Sequence, residues 1–219
     1  MPVAAPRPAP PRLLLQDRAY ERIKELIQAG TYPPGTFLSE RKLSRDLGMS
    51  KTPIRAALTR LDIEGFVSVS PQQGIVVREA SLHEVVDTFD LRVALESFVL
   101  RSIAGRLTDA QAARLRQNVR DQEESARAGD VLELTRLDTE FHLMLCEFLD
   151  NREIVRVMLH LRDKLHRVIL RVNQASGRLR DAWREHAAIA EAVLRGKGDL
   201  AARRVREHLE FGKRFLVSR

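Results

Sequence analysis

One aspartate and three histidines in the second half of the sequence have the residue types and spacing of a metal site. Asp138 and His142 stand four residues apart in LDTEFHLML, which places both side chains on one face of a helix. His186 and His208 each lie within an apolar helical pattern further along the chain. One carboxylate oxygen and three imidazole nitrogens suit a borderline divalent cation such as Zn²⁺, Ni²⁺ or Mn²⁺.

The same residues also permit a simpler interpretation. A histidine on an amphipathic helix is often a core residue that hydrogen-bonds to a neighbour, and one aspartate–histidine pair is weak evidence for a metal. The residues alone therefore leave a metal site and ordinary core histidines both open. The remaining histidines, His83, His160 and His166, are assigned to ordinary structural roles.

The segment that carries these candidates is predicted to be entirely helical from Ser81 onward. Glycines and capping residues divide it, and Thr108 with Gln111 has the pattern of a capping box. Six helices with short connections predict an antiparallel bundle, in which the candidate ligands lie on the third, fifth and sixth helices. The predicted spans are 81–105, 108–128, 131–149, 151–175, 178–196 and 198–217.

The first third of the chain has a different pattern. A helix over 13–29 is followed by the turn TYPPGTFL, and Ser39 is predicted to cap a short helix that ends at Gly48. Ser50 is predicted to cap the next helix, with Pro53 in its first turn. Two alternating segments, FVSVS and IVVRE, then flank PQQG as a β-hairpin. This order predicts a winged helix-turn-helix over 13–78, so the fold class is mainly α.

Several residues of this first module have the chemistry of a DNA reader. The start of a recognition helix meets bases and phosphates in the major groove, where an arginine such as Arg55 grips guanine bidentately. A wing tip enters the minor groove, where glycine permits close approach. Residues 1–78 carry 12 Lys and Arg against 7 Asp and Glu, although a basic helix in a protein–protein module would have the same charge. The predicted DNA contacts are Arg41, Ser50, Lys51, Thr52, Arg55, Gln73 and Gly74.

Composition narrows the class of protein. No apolar run approaches the roughly 20 residues of a membrane span, so no membrane partner is expected. The single cysteine, Cys146, excludes an internal disulfide framework and fits a reducing cytoplasm. Residues 1–12, MPVAAPRPAPPR, are rich in proline and lack the apolar region of a secretory signal, which predicts a disordered arm.

The first module contains a recurring set of motifs: YPPG, LSE, LG-S-TP-R-AL-RL, EGFV and the wing PQQGIVV. With these motifs it closely resembles the DNA-binding domain of the GntR family of bacterial transcription regulators. The resemblance implies that Arg41, Lys51 and Arg55 contact bases or phosphates, that Ser50 and Thr52 hold phosphate, and that the wing glycine reaches the minor groove.

The helical segment 81–217 contains the motifs LR--LE from Leu91, D--FH from Asp138, EH--I--A from Glu185 and GD-AA---REHL from Gly198. With these motifs it is similar to the FCD effector domain of the FadR-like GntR subfamily, and six helices place the chain nearer its VanR-like group. The resemblance implies a metal held by Asp138, His142, His186 and His208. It also implies a small carboxylic-acid effector, for which Arg92 and Asn173 are the predicted contacts, with a surface arginine or a Glu96-paired arginine as the alternative for Arg92.

The function that follows is a ligand-responsive regulator, expected to be a repressor that binds a palindromic operator as a homodimer. Two alternatives remain. A metal-dependent hydrolase could activate water at such a site, but no HExxH or paired-glutamate motif supplies its general base. The metal could instead be purely structural, or could itself be the signal.

Overall fold

The chain folds into two compact units that divide after Glu79. The structure is a computed structural model and describes residues 14–70, 74–174 and 178–217. The first unit contains three helices and a small antiparallel sheet with strand order β1-β3-β2 among its described residues. Its elements are α1 (Leu15–Gln28), β1 (Phe37–Leu38), α2 (Glu40–Leu47), α3 (Lys51–Ile63), β2 (Val67–Ser70) and β3 (Gly74–Val77).

An apolar core holds the helix-turn-helix against α1. Ile23 and Ile27 of α1 lie against the buried side of α3, which contributes Ile54 and Leu61, and Leu43 of α2 is fully buried beside them. The 3.6-residue period of these apolar positions is what the sequence pattern predicted. The core therefore leaves the opposite sides of α2 and α3 exposed.

The strand β1 is a correction to the predicted two-stranded hairpin. The sequence pattern assigned Phe37 and Leu38 to a turn, whereas both residues pair with β3, Phe37 opposite Val76 and Leu38 opposite Ile75. Two residues beside a PPG turn carry no alternation of their own. Only the pairing with a distant strand makes them a strand.

The two predicted serine caps have different outcomes. Ser39 accepts a hydrogen bond from the backbone N–H of Lys42 and caps α2 as predicted. Ser50 occupies the N-cap position of α3 with extended backbone, but its side chain makes no capping bond, so the predicted cap at Ser50 is wrong in that respect. Pro53 explains the difference, because it stands at the third helical position and has no N–H to donate.

The second unit is a bundle of six helices among its described residues, which confirms the predicted fold class. Ser81 with Glu84 and Thr108 with Gln111 form complete capping boxes at the first two helices. The main differences from the predicted spans are one to two residues at helix ends. The helices are α4 (Leu82–Ile103), α5 (Asp109–Ala128), α6 (Val131–Phe148), α7 (Arg152–Asn173), α8 (Arg178–Leu194) and α9 (Gly198–Val217).

Close backbone approach between α4 and α9 depends on glycine. A Cβ at Gly198 would stand 3.0 Å from the Cα of Arg101, and one at Gly212 would stand 3.1 Å from the Phe89 ring. The second glycine of the GKGD turn is therefore a packing requirement of these two helices. No helix in the described part of the chain combines the length and apolarity that a membrane span requires.

Candidate metal centre and nucleic-acid interface

Four buried side chains from three helices converge inside the bundle. Asp138 and His142 come from α6, His186 from α8 and His208 from α9, and one ligand atom of each lies within 4.8 Å of the others. The Nε2 atoms of His142 and His186 lie 3.3 and 3.2 Å from Nε2 of His208. Asp138 Oδ1 lies 3.6 Å from His186 Nε2. The structure thus brings together all four residues that the sequence singled out.

The Nδ1 atom of each histidine has its own hydrogen-bond partner on the outer side of the cluster. His142 Nδ1 lies 2.6 Å from Glu96 Oε2, and His208 Nδ1 lies 2.6 Å from Glu185 Oε2. A carboxylate only accepts, so Nδ1 carries the proton in both rings, and in a neutral imidazole Nε2 then presents its lone pair inward. Arg178 Nη2 also lies near His208 Nδ1, but at 3.3 Å it is farther away than the Glu185 oxygen. Such outer partners orient histidine ligands in metal sites.

His186 is oriented by a relay of amides. Its Nδ1 lies 2.7 Å from Gln122 Oε1, Gln122 Nε2 donates to Asn118 Oδ1 at 2.7 Å, and Asn118 Nδ2 donates to the Leu137 carbonyl at 3.2 Å. A backbone carbonyl can only accept, so it fixes the direction of every bond in the relay. The third Nε2 therefore also faces the cluster unprotonated.

The electrostatics of the site favour charged Glu96 and Glu185 carboxylates and neutral His186 and His208 imidazoles. Burial opposes ionisation of Glu96, but His142 and Arg92 outweigh it and hold the pKa of that carboxyl at about 2. Burial likewise opposes ionisation of Glu185, and its hydrogen bonds with His208 and Arg178 hold its pKa at about 2. Burial and the nearby His208 and His142 lower the pKa of His186 well below its usual range. Burial also lowers the pKa of His208, against the hydrogen bond to Glu185.

These side chains fit a divalent cation. With neutral rings protonated at Nδ1, His142 and His186 each turn an Nε2 lone pair toward Nε2 of His208, at 3.3 and 3.2 Å. Buried acceptors that face one another cost free energy unless a cation lies among them. Three imidazole nitrogens and one carboxylate oxygen are a donor set that Zn²⁺, Ni²⁺ and Mn²⁺ accept. A bound cation would there supply Lewis acidity and open coordination positions.

A small cavity lies beside the cluster. Its volume is about 20 Å³, close to that of a single water molecule. An organic acid larger than water therefore requires the walls to move. Its lining combines polar and apolar side chains: Phe89, Arg92, Asp138, Ile169, Val172, Asn173, Arg178, His208, Leu209 and Gly212.

Both predicted effector contacts line this cavity. Arg92 is buried, so it is not a surface arginine, and it donates from Nε to Glu96 Oε1 at 2.8 Å, which is the predicted Glu96 pair. Its contact with an effector stays a prediction. Asn173 is buried and donates from Nδ2 to Thr135 Oγ1 at 3.1 Å.

Side chains that the sequence pattern did not single out support the four candidates. Arg178 is buried, donates to both carboxylate oxygens of Glu185 at 2.8 Å and lines the cavity. Its Nε is buried and has no hydrogen-bond partner among the described residues. Gln122 left a signal, because Leu115, Asn118 and Gln122 recur at helical spacing and mark the inward face of α5.

The histidines assigned to ordinary roles lie outside the cluster. His83 is exposed on α4 and lies 3.6 Å from Asp87. His160 and His166 lie on α7, a helix that contributes none of the four converging side chains.

The predicted DNA contacts that the structure describes lie on exposed positions. Arg41 is in the first turn of α2, Lys51 and Thr52 begin α3, and Arg55 follows one turn later. Because Ser50 makes no capping bond, its hydroxyl is not committed to the helix.

The wing is described only in part. Gly74 is exposed and begins β3 with φ +78°, a left-handed conformation that glycine adopts without strain. Gln73 lies outside the described residues.

The structure also pairs Arg55 with a residue that the sequence analysis did not select. Arg55 Nε donates to Glu40 Oε1 at 2.8 Å, and Nη2 donates to Oε2 at 2.9 Å. The hydrogen bonds from Arg55 lower the pKa of the Glu40 carboxyl, and Lys51 contributes to the shift.

Comparison with known proteins identifies both units. Residues 15–77 match the family of bacterial regulatory proteins named gntR, and residues 87–211 match the FCD domain. The chain belongs to the GntR family. It is a transcription regulator of this family rather than an enzyme, and GntR regulators bind DNA.

Relatives of this GntR regulator match along most of their length. The Nta operon transcriptional regulator of Aminobacter aminovorans is 30% identical over 82% of this chain and 83% of its own. The HTH-type transcriptional repressor RspR of Escherichia coli is 28% identical over 81% of this chain and 78% of its own. The solved structure of E. coli McbR/YncC shares the fold, with a TM-score of 0.79 at 20% identity, covering 94% of this chain and 98% of that one.

Proposed function

We propose that this GntR regulator is a cytoplasmic repressor whose helical unit binds one divalent metal and a small carboxylic-acid effector. The observation that carries the proposal is the inward convergence of three imidazole Nε2 atoms with Asp138. Asp138, His142, His186 and His208 are the proposed ligands, and Zn²⁺, Ni²⁺ and Mn²⁺ are the candidate metals.

The cavity beside the ligands is the proposed effector site. Arg92 and Asn173 line it, and Arg178 adds a second buried guanidinium whose Nε is uncommitted within the described chain. Guanidinium groups bind carboxylates through charge-assisted hydrogen bonds. Because the cavity volume is about 20 Å³, an effector binds only a rearranged form of the helical unit, in which the cavity is larger. Regulation requires such a difference in effector affinity between two forms of the protein.

The first unit is the proposed DNA-binding domain that recognises the operator. Arg41, Lys51 and Arg55 contact bases or phosphates, and the hydroxyls of Ser50 and Thr52 bind phosphate. Gln73 and Gly74 form the wing tip that enters the minor groove. The printed name of the relative RspR supports repression as the sign of regulation.

A homodimer on a palindromic operator completes the proposal. The outer side of α4 carries Leu91 and Phe98, which are 42% and 54% exposed, with Ala94 between them. Asp87 and Arg101 stand at the two ends of this stripe and repeat its three- and four-residue spacing. If two copies pair antiparallel about Ala94, Leu91 lies opposite Phe98 and Asp87 lies near Arg101 of the second copy, so both charge and apolar surface match.

One set of variants tests the sensing half. In the full-length protein loaded with Zn²⁺, we expect a panel of small carboxylic acids to raise the melting temperature, and EDTA to abolish the shift. His208→Ala should lose the metal and the shift while keeping DNA affinity. His83→Ala removes an exposed histidine of the same unit and should behave as wild type.

The results also separate a second candidate function, a regulator with a purely structural metal, which the small cavity favours. In that case His208→Ala and EDTA lower the melting temperature, but no carboxylic acid raises it. A His208→Ala protein that keeps its metal content and responds normally would contradict both.

A further inference from the structure

A bidentate ion pair joins the two helices of the helix-turn-helix on their exposed side. Glu40 lies in the first turn of α2 and Arg55 on α3, and two hydrogen bonds of 2.8 and 2.9 Å connect them. The side chains are 29% and 69% exposed, so the pair lies outside the hydrophobic core. An exposed pair adds little to fold stability, and its geometry points to another role.

The geometry of the pair leaves one edge of the guanidinium open. Glu40 occupies the side edge, formed by Nε and Nη2 of Arg55. Nη1 and the second N–H of Nη2 remain on the end edge. Two parallel donors of this kind match O6 and N7 of guanine in the major groove. Since a bidentate carboxylate fixes the plane of the guanidinium, it also fixes the direction of the open edge.

We propose that Glu40 is a positioning residue that holds Arg55 for bidentate recognition of a guanine and thereby sets base preference at one position of each half-site. The inference rests on the proposed contact between Arg55 and DNA. Glu40 acts through Arg55 and does not itself contact a base.

The physical reason is a competition between bases and phosphates for Arg55. A long exposed arginine without a fixed plane can turn to the nearest phosphate, a contact that adds affinity but carries no sequence information. Glu40 opposes that rotation through two hydrogen bonds, and its negative charge repels phosphate. The pair therefore lowers the sequence-independent affinity for DNA and raises the preference for one base. Because Arg55 is already held in place, binding also costs less side-chain conformational entropy.

The test compares base preference between full-length variants in a selection from randomised DNA duplexes, followed by sequencing. Glu40→Gln keeps the shape of the side chain but removes its charge and its second acceptor. We expect about a 10-fold loss of guanine preference at one position per half-site, since a bidentate contact contributes about that much discrimination or more. Affinity for a random-sequence duplex should stay the same or rise.

Glu25→Gln is the matched control. Glu25 is an exposed acid on α1 that pairs with Arg22 at 2.8 Å, so its replacement removes the same charge from the same unit without touching Arg55. This variant should keep the wild-type base preference.

Arg55→Ala separates this inference from the proposed function on which it rests. Arg55→Ala should lose the same guanine preference, and Glu40→Gln added to Arg55→Ala should change it no further, because Glu40 acts through Arg55.

If Glu40→Gln keeps the preference while Arg55→Ala loses it, the positioning role is overturned and the DNA contact stands. If Glu40→Gln tightens binding to all duplexes with the preference unchanged, Glu40 is an inhibitory clamp and the inference is overturned. If Arg55→Ala keeps the preference, the proposed DNA contact of Arg55 fails as well.

Discussion

His186 is the proposed ligand whose Nδ1 is bonded to a neutral amide, while its ring stacks on Phe141 with 4.4 Å between the ring centroids. Gln122 accepts from its Nδ1, and the relay ends at the Leu137 carbonyl. His142 and His208 are held instead by the carboxylates of Glu96 and Glu185. An amide is a weaker hydrogen-bond partner than a carboxylate. In this relay, however, the terminal backbone carbonyl fixes which group donates and which accepts in each of the three bonds.

Gln122→Leu tests whether the relay serves a metal. The substitution keeps a similar volume and leaves His186 Nδ1 without its acceptor, so the ring loses its fixed orientation. We expect Zn²⁺ affinity to fall by about 10- to 100-fold, as for other outer partners of histidine ligands. Competition with a chromophoric chelator measures this affinity.

Gln117→Leu is the control for that substitution. Gln117 lies on the same helix, is exposed and bonds to Asp121. The Gln117→Leu substitution should leave the affinity for Zn²⁺ unchanged. Equal affinities for the two variants and the wild type would contradict a metal held through His186.

Serines occupy the N-cap positions just before α2 and α3, and they stabilise the two helices to different degrees. Ser39 accepts from the N–H of Lys42, whereas Ser50 makes no capping bond, since the proline three residues later lacks a donor. The Ser50 hydroxyl at the start of α3 is therefore not used in capping, which agrees with its proposed contact with a DNA phosphate.

Ser39→Ala should therefore destabilise its helix more than Ser50→Ala. Loss of the Ser39 cap should lower the free energy of local opening of α2 by about 1 kcal/mol. Ser50→Ala should leave the opening of α3 nearly unchanged. Hydrogen exchange of the full-length protein, read by mass spectrometry over each helix, compares the two. Similar acceleration in both helices would show that Ser50 also acts as a cap.

The proposed homodimer depends on the outer stripe of α4. Leu91, Ala94 and Phe98 lie on one side of the helix, between Asp87 and Arg101. Both charged residues already make exposed pairs within the chain, Asp87 near His83 at 3.6 Å and Arg101 with Asp199 at 2.9 Å. Exposed pairs of this kind exchange partners at little cost.

Phe98→Glu should convert the dimer to a monomer, because it places a charge in the apolar centre of the proposed contact. Light scattering after size-exclusion chromatography measures the mass. Leu132→Glu makes the same kind of change at a leucine of α6 that is 71% exposed, and should leave the mass unchanged. A Phe98→Glu protein with the wild-type mass would place the dimer contact elsewhere.

Local patterns in the sequence determined the order of elements and the candidate ligands. The turn, cap and apolar spacing predicted α2 and α3, because these signals act within a few residues. The helical period made Asp138, His142, His186 and His208 candidates, because it shows which residues share a face with the core, and only the resemblance to the FCD domain favoured a metal over ordinary core histidines.

Tertiary structure decided everything that depends on contacts between distant segments. Glu96 is 46 residues from His142, and Gln122 is 64 residues from His186, so no local pattern could pair them. The strand β1 exists only through its pairing with β3. The bond between Glu40 and Arg55 likewise requires the turn that brings α2 and α3 together. Helix periodicity specifies which side of a helix faces inward, but only packing determines which side chain it meets there.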